Sequence, residues 1–271
     1  PACYAFIDEW NASAEQEKLF EIANDITERM RLTERLEKVD TAILMQSDSL
    51  PCIDAVIIER FLQEIAENVI KTEEILNVTE SRRTAKWYNR YAYLYDGLYY
   101  IAKMQEFHYA HITGFHFGTE KELWDSYCKE LYWMDTYYRR LHMDFRKSLF
   151  NTLGTLDDLF KSAVVTAEHL YQNWYLSELN GSWNSLIKES VADGFSQNGI
   201  LQQDDFYRRV VQPIARESRV FVIISDALRY EVATELTEKL LRETNGTAKQ
   251  SAMQSVFPSI TKFGMAALLP H

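Results

Sequence analysis

Asp226 is the first residue in the sequence whose type and position suggest chemistry. It directly follows the apolar run Arg219–Ser225, and such an uninterrupted run predicts a strand buried on both faces. Ligands bind beyond the carboxyl ends of strands in open α/β sheets. A carboxylate there is a hard oxygen ligand for zinc, magnesium or manganese. Alternatively, Asp226 only caps the following helix, and the spacing alone does not separate the two interpretations.

Thr261 is the second candidate, in the segment Pro258–Gly264 near the predicted start of a short apolar helix. A hydroxyl at a helix N-terminus meets free backbone N–H groups and the positive end of the helix dipole, which favours a phosphoryl group beside it. Metal coordination can turn such a hydroxyl into a nucleophile. Taken alone, Thr261 is better explained as a helix cap, because Ser and Thr are preferred at that position.

The elements that would position these two side chains differ from the rest of the chain. The strand predicted at 219–225 is followed by a helical pattern at Ala227–Arg242, which is the start of an α/β unit. Upstream, residues 13–190 repeat apolar side chains at three-to-four spacing and predict helices almost throughout. The sequence therefore predicts a mainly α N-terminal helical region (1–190), a linker with a short helix (191–218) and the beginning of an α/β domain (219–271).

The helical region is unusually aromatic, since 13% of the chain is Phe, Trp or Tyr and Tyr alone accounts for 16 residues. Aromatic-filled helix interfaces explain this composition, and a partner-binding surface or a stacking platform for single-stranded nucleic acid is the alternative. His108 and His111 have the helical spacing of a metal-binding pair. No third ligand at a fitting spacing accompanies them, so packing among the tyrosines explains the histidines more simply.

The net charge bears on nucleic-acid binding, and the cysteines bear on the redox state of the compartment. A formal net charge of −11 makes the whole surface a poor match for nucleic-acid phosphates. The nearest candidate for binding nucleic-acid phosphates directly is a short arginine-rich stretch that is also typical of a solvated helix face: Arg208, Arg209, Arg216 and Arg219. Three widely spaced cysteines without a C-x-x-C pair indicate a reducing cytoplasm. No stretch predicts a signal peptide or a membrane-spanning helix.

Two segments read jointly point to a known family. Val222–Glu231 and Pro258–His271 together closely resemble the PglZ family, which belongs to the alkaline phosphatase superfamily and is associated with BREX-type bacteriophage defence. Weaker resemblance extends into the helical region at Arg82–Tyr88, Tyr137–Arg139 and Trp174–Leu176.

The resemblance implies roles for individual residues. Asp226 falls on the superfamily's metal ligand after the first strand, and Thr261 falls on the nucleophile that also contacts metal. Arg229, Glu231 and His271 match the family pattern without an assigned role, and Arg229 and Glu231 alternatively pack the helix to its neighbours. The implied cofactor is a divalent metal, zinc first and manganese or magnesium as alternatives. The implied substrate is a phosphoester or nucleotide-type compound.

The superfamily completes its two-metal site with further Asp and His residues that come later than this sequence extends. We therefore expect an excerpt of a longer protein, with an incomplete metal site and no catalysis by this chain alone. The first functional hypothesis is a metal-dependent phosphatase or phosphodiesterase. The alternative is a helical protein–protein interaction scaffold within a multiprotein defence complex, whose partners would be the other proteins of that system.

Overall fold

The computed structural model describes residues 2–150, 153–188 and 199–270. It divides into two compact units, one comprising Pro1–Ile112 and Tyr137–Tyr175 and the other comprising Thr113–Thr136 and Leu176–His271. The mainly helical fold predicted from the sequence is confirmed. The α-helices are α1 (Ala2–Asn11), α2 (Gln16–Met30), α3 (Leu32–Leu36), α4 (Thr41–Leu44), α5 (Pro51–Ala66), α6 (Thr72–Arg82), α7 (Tyr88–Ala110), α8 (Glu120–Ser126), α9 (Tyr132–Ser148), α10 (Thr155–His169), α11 (Ser177–Leu186), α12 (Gln212–Ala215), α13 (Tyr230–Glu243) and α14 (Thr261–Ala267).

Tighter or wider helical turns interrupt this series. Among the described residues, Tyr127–Leu131, Leu170–Leu176 and Tyr207–Val211 have π-helical hydrogen bonding. Gln203–Asp205 is a short 3₁₀-helix. Within the described ranges no helix is both long enough and apolar enough to cross a membrane. The two boundaries expected from the sequence, at 190/191 and 218/219, remain predictions.

The first unit is built around α5. Pro51 occupies the first turn of this helix, where its missing N–H would have had no helical partner. Residues at helical spacing then form a continuous buried stripe, with Ile57, Phe61 and Ile65 at most 1% exposed. Helices α7 and α10 pack close together because α7 carries Gly97: a Cβ atom there would lie 2.4 Å from the ring of Phe160. The core therefore depends on one very small residue opposite a large one.

A charged pair lies inside this core. Asp54 is 0% exposed and Arg82 is 3% exposed. The Arg82 Nε donates to Asp54 Oδ1 at 2.8 Å, and the Tyr95 hydroxyl donates to the same oxygen at 2.5 Å. Arg82 also donates to the carbonyl oxygen of Ser47 at 2.8 Å. Buried charges persist only when they are paired and hydrogen-bonded in this way, so the cluster fixes α5, α6 and α7 against one another.

The aromatic residues of the helical region serve mainly as core. Trp87, Tyr91, Tyr93 and Tyr95 are all between 1% and 6% exposed. Tyr138 stacks on Tyr171 with ring centroids 3.7 Å apart. Large rings supply much buried area for each residue. These observations support the interpretation of aromatic-filled interfaces over that of an aromatic binding surface.

The second unit contains α8 and α11 to α14. Thr119 is the N-cap of α8, because its hydroxyl accepts a hydrogen bond from the Glu122 amide at 3.2 Å. The rings of Trp124 and Trp183 lie 6.4 Å apart and join α8 to α11. Most side chains of residues 199–270 are exposed or half-buried.

The predicted strand at 219–225 is not formed. These residues have no regular secondary structure, and Phe221 and Ile223 are 82% and 92% exposed. A strand needs a neighbour for its backbone N–H and C=O groups. Among the described residues the only β-type pairing is an isolated parallel bridge between Gln202 and Gln254. The apolar run therefore predicted a buried strand wrongly.

Candidate functional site

A sharp turn carries Asp226. Asp226 and Ala227 form the turn that follows residues 219–225, and Ala227 has a φ of 56°. That left-handed conformation is uncommon for a residue other than glycine, asparagine or aspartate and costs about 1 kcal/mol or more. It directs the chain into α13, which begins at Tyr230 rather than at Ala227 as predicted. Arg229, not Asp226, lies at the N-cap position of α13, so the capping interpretation of Asp226 is not realised.

Thr261 is the first residue of α14, a helix of seven residues. Ile260 occupies the N-cap position, with extended backbone angles and no side-chain capping bond. The hydroxyl of Thr261 therefore does not serve as the cap that its residue type suggested. The first turn instead closes through backbone bonds from Phe263 and Gly264 to the carbonyl oxygen of Ile260. Neither Asp226 nor Thr261 is therefore a helix N-cap; Arg229 and Ile260 occupy those positions.

The structure brings the two predicted side chains together although they are 35 residues apart in sequence. The Thr261 hydroxyl faces the Asp226 carboxylate, and its Oγ1 lies 3.4 Å from Oδ1 and 3.3 Å from Oδ2. Both residues are exposed to solvent. Hydroxyl–carboxylate hydrogen bonds are ordinarily about 2.5–2.7 Å long, so this hydrogen bond is weak. The pair is held in register by its surrounding backbone more than by its own attraction.

The spacing between these oxygens suits a shared cation. Two oxygen ligands about 2.0 Å from a tetrahedral zinc ion lie about 3.3 Å from each other. Catalytic zinc sites use three protein ligands and leave one position open. Within the described residues no group of three or more His, Cys, Asp or Glu side chains could hold a metal ion. The spacing of the Asp226 and Thr261 oxygens is therefore compatible with two ligands of a cation, and the described residues contain no complete ligand cluster around them.

Arg229 and Glu231 support the first turn of α13. Glu231 is 1% exposed, and its Oε1 lies 3.0 Å from the Nε of Arg229. The Nη2 of Arg229 lies 3.7 Å from Oδ1 of Asp135, and Tyr127 donates its hydroxyl to the other Asp135 oxygen at 2.9 Å. This cluster, in which Glu231 and Asp135 are buried and Arg229 is half exposed, joins the start of α13 to the segment 127–135.

Tyr230 makes the same connection through an apolar contact and a hydrogen bond. Its ring meets that of Tyr132 edge-on with centroids 5.5 Å apart, and its hydroxyl donates to the carbonyl oxygen of Cys128 at 2.9 Å. Burial and the hydrogen bond to Cys128 raise the pKa of Tyr230 to about 12. Asp226 is four positions before this residue, so the fixed start of α13 also fixes the turn that carries Asp226.

Comparisons with known proteins identify what the chain is similar to. Residues 206–271, the PglZ segment, match the family model described as the BREX system PglZ alkaline phosphatase-like domain. Two curated relatives extend the similarity over almost the whole chain. The chain is 31% identical to the alkaline phosphatase-like protein BrxZ of Escherichia coli O9:H4 (strain HS), over 98% of the chain and 32% of that protein.

The second relative is the alkaline phosphatase-like protein PglZ of Bacillus cereus (strain H3081.97), which is 30% identical over 96% of this chain and 30% of its own length. The chain thus spans about a third of the length of the curated relatives it matches. No solved structure matches it. The PglZ resemblance predicted from two short motifs is confirmed, and the helical region shares in it.

Sequence reasoning missed two residues that lie outside the PglZ segment but contact the start of α13, Asp135 and Tyr127. Asp135 falls on the apolar stripe of the helical pattern, four residues after the buried Leu131. A carboxylate on such a stripe indicates a buried partner. His271 lies outside the described residues, so its role stays a prediction.

Outside the PglZ segment, a cleft of about 350 Å³ opens in the first unit. Its lining includes His108 and His169 but none of the residues that the sequence singled out for catalysis. Burial lowers the pKa of His108, and His111 bonds through Nδ1 to the carbonyl oxygen of Phe107 at 2.9 Å. The pair His108 and His111 is accounted for by packing and local hydrogen bonds.

Proposed function

We propose that this chain contributes the nucleophile Thr261 and the metal ligand Asp226 to a PglZ-type phosphatase or phosphodiesterase of a bacteriophage defence system. The observation that carries the proposal is the approach of the two oxygens to 3.3–3.4 Å on an exposed surface. Asp226 and Thr261 both lie in the part of the chain that the family model matches. Both relatives are named alkaline phosphatase-like proteins.

The chemistry assigns a distinct task to each side chain. The Oγ1 of Thr261 would form a bond to the phosphorus of a phosphoester while the bond from phosphorus to the leaving oxygen breaks. Water would then hydrolyse the threonine ester and release the phosphoryl group. Asp226 would hold a divalent metal beside that oxygen and keep the hydroxyl oriented. The metal, zinc first and manganese or magnesium as alternatives, would supply charge stabilisation and a more acidic hydroxyl.

The fixed turn before α13 contributes orientation. Catalytic groups act efficiently when they are held within a fraction of an ångström of their working geometry. The cluster of Arg229, Glu231 and Asp135 and the contact of Tyr230 hold the start of α13. We therefore assign Arg229 and Glu231 a positioning role for Asp226. The metal site would be completed by residues of the whole protein, which works in the cytoplasm with other proteins of the defence system.

The test compares a diester with a monoester substrate. The full-length protein that carries this chain should hydrolyse bis(p-nitrophenyl) phosphate or p-nitrophenyl phosphate when zinc, manganese or magnesium is supplied. Thr261→Ala and Asp226→Ala should each lower kcat by about 10²-fold or more. Thr261→Ser keeps a hydroxyl and should retain part of the activity.

Matched controls come from the same part of the chain. Thr237 bonds only within α13, to the carbonyl oxygen of Ala233 at 2.8 Å, and Asp125 forms an exposed pair with Lys121 in α8. Thr237→Ala and Asp125→Ala should leave kcat unchanged. Activity that survives both Thr261→Ala and Asp226→Ala would remove the assignment of these residues.

A second candidate function is an interaction scaffold within a multiprotein complex, and exposed apolar side chains favour it. Phe221 and Ile223 are 82% and 92% exposed in a segment without regular secondary structure, and such apolar surface often marks a contact. Photo-crosslinking from position 221 in cells that carry the full-length protein would test this role. Crosslinks to another protein of the system support the scaffold, whereas crosslinks confined to the protein itself indicate that its own fold covers the segment.

A further inference from the structure

The carboxamide of Gln203 lies between two parts of the chain that flank Thr261. Its Oε1 accepts a hydrogen bond from the Val256 amide at 3.1 Å. Its Nε2 donates to the carbonyl oxygen of Gly264 at 3.2 Å. Val256 precedes Thr261 and Gly264 follows it, so one side chain bridges both ends of the segment 256–264. The carboxamide oxygen therefore accepts one hydrogen bond and the carboxamide nitrogen donates the other, as their chemistry requires.

Backbone contacts hold Gln203 itself in place. Its amide donates to the carbonyl oxygen of Gln254 at 2.9 Å, and the Gln254 amide donates to the carbonyl oxygen of Leu201 at 2.7 Å. The side chains of Gln202 and Gln254 are also hydrogen-bonded at 3.0 Å. These bonds surround the isolated parallel bridge between Gln202 and Gln254. Gln203 therefore projects from a backbone pairing that is already fixed.

The side chain of Gln203 packs closely against Gly264. A Cβ atom on Gly264 would lie 3.3 Å from Nε2 of Gln203, which is closer than side chains ordinarily approach. The glycine allows the carboxamide to reach the helix backbone of α14 three residues after Thr261. Gln203 and Gly264 act together, and a larger residue at either place would push the start of α14 aside.

We infer that Gln203 is a positioning residue for Thr261. It would hold the segment 256–264 so that the Thr261 hydroxyl stays opposite the Asp226 carboxylate, whose own attraction is weak at 3.3–3.4 Å. The inference rests on the proposed function for its catalytic consequence. Its structural part, the bridging of the segment by Gln203, stands on the hydrogen bonds alone.

Three substitutions separate the two hydrogen bonds. Gln203→Leu has similar size and removes both bonds. Gln203→Glu keeps an acceptor for the Val256 amide but faces the Gly264 carbonyl oxygen with a carboxylate that cannot donate. Gln203→Asn is shorter by one methylene and cannot reach both partners. Gln250→Ala is the matched control, because Gln250 donates to Thr234 Oγ1 at 2.9 Å and to the carbonyl oxygen of Tyr230 at 3.3 Å, outside the segment.

The first readout is amide hydrogen exchange in the full-length protein. In Gln203→Leu the amides of 256–264 should exchange about tenfold faster or more, since an opened segment loses its protection. Gln203→Glu should keep much of the protection at Val256 and lose it at Phe263 and Gly264. Gln250→Ala should change exchange near Thr234 instead. Unchanged exchange in Gln203→Leu overturns the inference, whatever the activity.

The second readout is steady-state kinetics with bis(p-nitrophenyl) phosphate. Gln203→Leu should lower kcat by about 10–100-fold, since small displacements of a reacting group have effects of this size. KM should stay within about 3-fold, because the lost interaction orients the nucleophile and does not bind substrate. Gln203→Glu should retain more of kcat than Gln203→Leu. Faster exchange together with an unchanged kcat would overturn the positioning role.

The two readouts also separate this inference from the proposed function. If the wild-type protein hydrolyses no phosphoester while Gln203→Leu still accelerates exchange in 256–264, the proposed function is wrong and the bridging by Gln203 is upheld. If the wild-type protein is active and Gln203→Leu alters neither readout, the proposed function stands and the inference is wrong. A circular-dichroism spectrum like that of the wild type shows that each variant is folded.

Discussion

Two aspartates in this chain show opposite uses of the same side chain. Asp54 in the first unit is fully buried, and its Oδ1 accepts hydrogen bonds from Arg82 and Tyr95 at 2.8 and 2.5 Å. Asp226 in the second unit is exposed, and the hydroxyl of Thr261 comes only within 3.3 Å of it. The first carboxylate is buried and engaged by short contacts at Oδ1, whereas the second is exposed and keeps its oxygens accessible.

The difference separates stability from chemistry. A buried carboxylate contributes to the fold because its removal leaves a partner charge unpaired in the core. An exposed carboxylate beside a weakly bonded hydroxyl contributes little to the fold, so its placement has to be explained by something other than stability. Substitutions at the two sites should therefore affect different measurements, and each prediction below tests that separation.

The largest effect on stability is expected from Asp54→Ala. Removing the carboxylate leaves the guanidinium of Arg82 buried without its charged partner, which costs about 3–5 kcal/mol. Urea denaturation should show this loss in the free energy of unfolding. Asp226→Ala and Asp25→Ala, the latter removing an exposed pair with Arg29, should each change it by less than about 1 kcal/mol. A loss below 1 kcal/mol for Asp54→Ala would remove the contrast between the two aspartates.

Gly97→Ala tests how closely the first unit is packed. Its new methyl group would meet the ring of Phe160 at 2.4 Å, and overpacking of this kind costs about 1–3 kcal/mol. The matched control is Gly181→Ala in α11, where nothing lies within 4 Å of the new atom. That change should stabilise by about 0.5–1 kcal/mol, because alanine favours helix over glycine. Thermal unfolding would show opposite shifts in Tm, and shifts of the same sign would contradict the packing described.

The two units also differ in how much of their structure the sequence predicts. Helical spacing predicted the helices around Ile57 and Phe61 because burial follows a regular period. The joint context of Asp226 and Thr261 predicted that they lie together. The strand at 219–225 could not be judged from its own residues, since pairing depends on a neighbour. No local signal distinguishes the buried Arg82 from the adjacent Arg83, because the difference arises from packing between distant helices.

Alkaline titration compares buried tyrosines in both units. Burial and a hydrogen bond to Asp96 raise the pKa of Tyr88 to about 12, burial raises that of Tyr230 to about 12, and that of Tyr95 lies well above its ordinary value of 10.0. The unfolded chain would ionise these phenols first. Stability is therefore fully present below pH 10 and is lost as the pH rises through 12.

Tyrosinate absorbance near 295 nm should accordingly show a group of tyrosines that ionises later than the rest. In urea this late group should merge with the others, since unfolding removes the burial. Tyr88→Phe should reduce the late absorbance by one tyrosine. A single transition centred near pH 10 in the folded protein would contradict the burial of these rings.

The smallest expected effect concerns the turn that carries Asp226. Ala227 has a φ of 56°, a conformation that costs alanine about 1–2 kcal/mol and glycine almost nothing. Glycine also gives the unfolded chain more freedom, which offsets part of the gain. Ala227→Gly should therefore stabilise by at most about 1 kcal/mol in urea denaturation. Ala233→Gly, in the middle of α13, is the matched control and should destabilise by about 1 kcal/mol. If both variants lose stability equally, the turn is not left-handed, and the approach of Asp226 to Thr261 loses its structural basis.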